Sequence, residues 1–78
     1  MGMSDLERRL RDLNEQLKRY PEYKPVCEYL DDVINDFENN RKEGNIIVDP
    51  DLQAFGYCMM ELVEHILDYM RRKSSETV

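Results

Sequence analysis

Residues 49–73, DPDLQAFGYCMMELVEHILDYMRRK, decide the fold. The stretch opens on a helix start: Asp49 can cap, Pro50 suits a first helical position that needs no N–H, and Asp51 favours the positive end of the helix dipole. Leu52, Phe55, Met59, Leu62, Val63, Ile66, Leu67 and Met70 then recur at helical spacing, Met60 widens their arc, and Arg71, Arg72 and Lys73 complement the negative end. The reading is a helix over 50–73, a rod of roughly 36 Å, followed by a polar, disordered tail at 74–78. An apolar arc this wide predicts two packing partners.

Both partners lie upstream. Val26, Leu30, Val33 and Phe37 form one stripe flanked by Tyr29 and Ile34, which predicts a helix over 26–42 that Gly44 can stop in a left-handed conformation. Asn39 and Asn40 weaken its last turns, so fraying from about residue 39 is expected. Leu6, Leu10, Leu13, Leu17 and Tyr20 alternate at spacings of four and three and predict a first helix over 5–20. Ser4 and Glu7 match a capping box, Pro21 ends the pattern, and Asp5 with Arg9, Glu7 with Arg11 and Glu15 with Arg19 can pair along its sides. Between these two helices, Pro25 biases Lys24 away from the helical region, so residues 21–25 are expected to be a sharply bent connector. Tyr20 and Tyr23 should pack its corner. Ile46, Ile47 and Val48 read as an extended flap over one end of the helices, or as an edge that pairs with another chain.

With 78 residues the chain has room for one domain, 1–78, and its 41% hydrophobic and 36% charged content supports a core of modest size. Such a domain buries roughly 60% of its unfolded surface, and a second copy or a partner would add to its stability. Seventeen acids against eleven bases give a formal charge of −6, which weighs against binding nucleic acid or an anionic membrane. No apolar run approaches the roughly 20 residues that span a bilayer, and the N-terminus lacks the apolar stretch of a signal peptide. A cytoplasmic protein with reduced thiols is expected. Cys27, Cys58 and the single His65 make neither a zinc-type cluster nor a disulfide framework.

The sharpest electrostatic feature is on the second helix. Glu28, Asp32 and Asp36 repeat every four residues, and residues 22–38 hold six acids against one lysine. Like charges at this spacing destabilise a helix slightly, a cost that a basic protein partner would offset. On the third helix Gly56 costs roughly 1 kcal/mol relative to alanine, which a close approach usually compensates. Gly56, Met59, Met60 and Val63 are therefore expected to form an adaptable self-association contact. Glu61, His65 and Asp68 share a face, but one histidine and no matching second helix make a poor metal site.

Carboxylates on two helices resemble, in a general way, those of magnesium-dependent all-α nucleotide pyrophosphohydrolases. The paired Glu-x-x-Glu and Glu-x-x-Asp helices of that family are not reproduced, because Glu28-x-x-Asp31 precedes Glu61-x-x-Glu64 in the other arrangement. The expectation is an all-α, three-helix domain, a helical hairpin crossed by the N-terminal helix and assembled as a dimeric bundle. It should work as a regulator, inhibitor or accessory subunit by binding a protein, with no cofactor, metal or catalysis. A small metal-dependent hydrolase and a nucleic-acid accessory protein are the alternatives.

Overall fold

A computed structural model of the chain describes residues 4–44 and 49–76. Among these residues the chain forms α1 (Asp5–Leu17), a 3-10 turn (Pro21–Tyr23), α2 (Lys24–Lys42) and α3 (Pro50–Glu76), and no strand. The expected flap at 46–48 lies outside the described residues.

Each helix starts and stops for a local reason. At the head of α1, the Glu7 N–H donates to Ser4 Oγ at 3.2 Å, which is half of the expected capping box. The other half is not made, because both Glu7 carboxylate oxygens go to arginines. α1 ends at Leu17, three residues earlier than the leucine pattern predicts. Pro21 holds Tyr20 extended at φ −113°, ψ 99°, so the last turn tightens into bonds from the Arg19 N–H to Gln16 O and the Tyr20 N–H to Leu17 O.

The chain reverses direction between α1 and α2, as expected, but Lys24 is not kept out of the helix. Lys24 is helical, at φ −51°, ψ −44°, and its N–H donates to Pro21 O, so the 3-10 turn feeds directly into α2 and overrides the pre-proline bias. At the far end α2 runs unfrayed to Lys42, and Gly44 stands at φ +80° as the left-handed stop. Asp49 Oδ1 accepts the Asp51 N–H at 2.8 Å at the head of α3. That helix continues through Ser74 and Ser75 to Glu76, where a disordered tail was expected.

Pairings along the helices fix the topology. Glu7 meets Arg41 and Asn14 meets Asp31, so α1 and α2 run antiparallel. Arg9 meets Glu64 and Gln16 meets Arg71, both 55 residues apart, so α1 and α3 run parallel in constant register. The first helix therefore lies along the other two instead of crossing a hairpin. Its contacts with each of them are more extensive than those between α2 and α3. The reason is its stripe: Leu6, Leu10, Leu13 and Leu17 are all buried, the last three at 0–1% exposure, each contributing about 1.5–3 kcal/mol of transfer free energy. Cys27, Leu30, Val33, Ile34 and Phe37 of α2 and Met59, Val63 and Leu67 of α3 complete the core. Tyr20 and Tyr23 pack against it at the corner, as expected.

Candidate interaction surfaces

The acids of α2 divide into two groups. Asp31 Oδ1 accepts the Asn14 amide at 2.7 Å, and Glu38 pairs with Lys42 at 3.1 Å and with Arg11 at 3.5 Å. The Lys42 ammonium, as hydrogen-bond donor and as charge, holds the Glu38 carboxyl below its ordinary range, with Arg11 assisting. These acids face α1 and serve the fold. Glu28, Asp32 and Asp36 are exposed, on the side that the buried stripe Leu30, Val33 and Phe37 turns outward, and none of the three forms an ion pair with another described residue. Glu28 also borders an open groove of about 340 Å³ at the corner between α1 and α2.

The sequence did not announce the acid that matters most to the core. Glu7 is 2% exposed; its Oε1 accepts from Arg41 at 2.6 Å and its Oε2 from Arg11 at 3.0 Å. A carboxylate withdrawn from water in this way needs charged partners, and two supply it: the expected neighbour Arg11 and, from α2, Arg41. The other two pairs expected along α1 are replaced. Arg9 turns to Asp12 and across to Glu64, and Glu15 meets Lys18.

Three of the four residues expected to carry self-association are inside the chain's own core. Gly56 is buried, Met59 is 9% exposed and Val63 fully buried, while Met60 is half-buried. The close approach at Gly56 is real but internal: a Cβ there would stand 2.9 Å from Phe37 Cζ and 3.1 Å from Leu6 Cδ2. Phe55 and Leu62, read as core, are instead 48% and 49% exposed, with Tyr69 at 51% and Tyr29 of α2 at 64%. Phe55, Leu62 and Tyr69 are spaced by seven, a period that could have flagged them as a separate line.

Glu61, His65 and Asp68 are exposed on α3. Among the described residues no group of three or more His, Cys, Asp or Glu side chains is placed to hold a metal ion. Nor is any described helix long and apolar enough to cross a membrane. Cys27 is buried and Cys58 exposed, both as free thiols. No protein-family model, curated protein or solved structure matches the chain.

Proposed function

We propose that the chain is a small cytoplasmic protein-interaction module, a regulator or accessory subunit that works by binding and not by catalysis. Its working surface is the acidic face of α2, and its partner is a protein with a basic surface. The carrying observation is the division among the acids: those facing α1 are engaged, whereas Glu28, Asp32 and Asp36 are exposed without an ion pair to another described residue. We also propose that the module acts as a homodimer, because its three short helices carry more apolar stripe than they bury.

The test is the double reversal Asp32→Lys and Asp36→Lys. Both side chains are exposed, so far-UV circular dichroism should be unchanged. Proteins captured on the immobilised wild-type chain and identified by mass spectrometry should include one that the variant retains poorly. For that protein, association should slow and the dependence on salt flatten, since exposed charges act through steering screened over about 8 Å. An unchanged affinity and salt slope for every captured protein would rule out the acidic face.

A further inference from the structure

α1 covers only one side of the α2–α3 pair. Glu64 and Arg71 are the α3 residues joined to α1. Phe55 and Leu62 each precede one of them by nine residues, which is two and a half turns and hence the opposite side of the helix. Tyr29 precedes Glu38, which meets Arg11 of α1, by the same nine. The contact of Phe37 with the Gly56 position sets the antiparallel register of α2 on α3; counting eight residues along each places Tyr29 level with Glu64, beside Leu62 and Ile66. Tyr29, Phe55, Leu62 and Tyr69 therefore form one continuous apolar face on the side away from α1, each roughly half exposed or more.

We infer that this face is the seat of a second copy of the chain, with the two α3 helices antiparallel about a twofold axis within a turn of Leu62. This deepens the homodimer proposed above by naming its surface, and it rests on that reading. Two features of the face select a second copy. The aromatic residues Phe55 and Tyr69 stand symmetrically seven residues either side of Leu62, so an antiparallel copy lays Phe55 of one chain near Tyr69 of the other. The charges are polarised in the same sense: Asp51 lies at the start of α3 and Lys73 near its end, each eleven residues from Leu62 and hence on the same side of the helix. Antiparallel pairing brings the acidic end of each helix to the basic end of the other, whereas parallel pairing would stack like on like. Between Asp51 and Lys73 the face is about 33 Å long and at most 20 Å across. The footprint, on the order of 600 Å², compares with about 800 Å² per partner in a standard interface.

Sedimentation velocity on the full chain, from about 1 µM to about 500 µM, tests this. The wild type should pass from its 9.4 kDa monomer to twice that mass. Leu62→Glu should remain monomeric with unchanged helicity, as should Tyr69→Glu. Tyr57→Glu, at a position equally exposed at 48% but off the face, should dimerise like the wild type. Asp51→Lys should weaken the dimer several-fold and Lys73→Glu in the same chain should restore it. A wild type monomeric throughout would overturn both the dimer and its surface. Dimerisation undiminished by Leu62→Glu or Tyr69→Glu would overturn the surface alone, and an Asp51→Lys variant that dimerises normally would overturn the antiparallel arrangement.

Discussion

Replacing Gly56 with alanine sets two effects of known size against each other. Alanine favours the helix by about 1 kcal/mol. The new methyl, however, would stand 2.9 and 3.0 Å from Phe37 ring carbons and 3.1 Å from Leu6 Cδ2, where carbon–carbon contacts are normally about 3.5–4.0 Å. The ring must withdraw by about half an ångström or more, and Phe37, at 3% exposure, must do so within the core. Overpacking of this kind costs about 1–3 kcal/mol, and two ring contacts near the short limit place it in the upper half of that range. A net loss of about 1–2 kcal/mol results, or roughly 4–8 °C in Tm for each kcal/mol in a domain of this size. In a Phe37→Leu background the ring edge is gone and only the Leu6 contact remains, so the same glycine-to-alanine change should be neutral or stabilising by up to about 1 kcal/mol. The assay is a double-mutant cycle by urea and thermal unfolding at one fixed protein concentration, because the proposed dimer would make Tm depend on concentration. Equal effects of Gly56→Ala in the two backgrounds, or a rise in Tm in the wild type, would refute the reasoning.

Further outcomes are expected from single side chains. Alkylation of the native chain followed by mass spectrometry should modify Cys58 quickly and Cys27 only after unfolding, because Cys27 is 6% exposed and burial, then the Asp31 carboxylate, push its thiol up. The sign follows: the unfolded chain yields the thiolate more readily, so the stability from a neutral Cys27 is complete at neutral pH and lost as pH rises through the thiol range. Lys42→Ala should return the Glu38 carboxyl toward its ordinary value, seen by NMR titration, since the Lys42 hydrogen bond is the first cause of its lowering. Arg41→Met should destabilise the chain by about 1.5–3 kcal/mol in urea unfolding, as it removes a charged hydrogen bond to the buried Glu7. Lys18→Met, which breaks only the exposed pair with Glu15, should cost at most about 0.5 kcal/mol.

The helices themselves were legible because their signals are local. Ser4, Gly44 and the Asp49-Pro50 start act on backbone groups within a turn of themselves, and all three perform as their chemistry requires. The leucine stripe of α1 and the exposure of Glu28, Asp32 and Asp36 follow from helical periodicity alone. What periodicity leaves open is which neighbour takes which part of an apolar arc. Tertiary packing decided that α1 lies parallel to α3 and draws Met59, Val63 and Leu67 inward, leaving Phe55, Leu62 and Tyr69 on the far side. The same packing turned Glu7, by sequence a capping residue, into a buried anchor, because Arg41 arrives from 34 residues away to share its charge. Lys24 was drawn into the helix against the bias of Pro25. A residue's own chemistry sets what it can do, and the partner that crosses the chain to meet it sets which of those things it does.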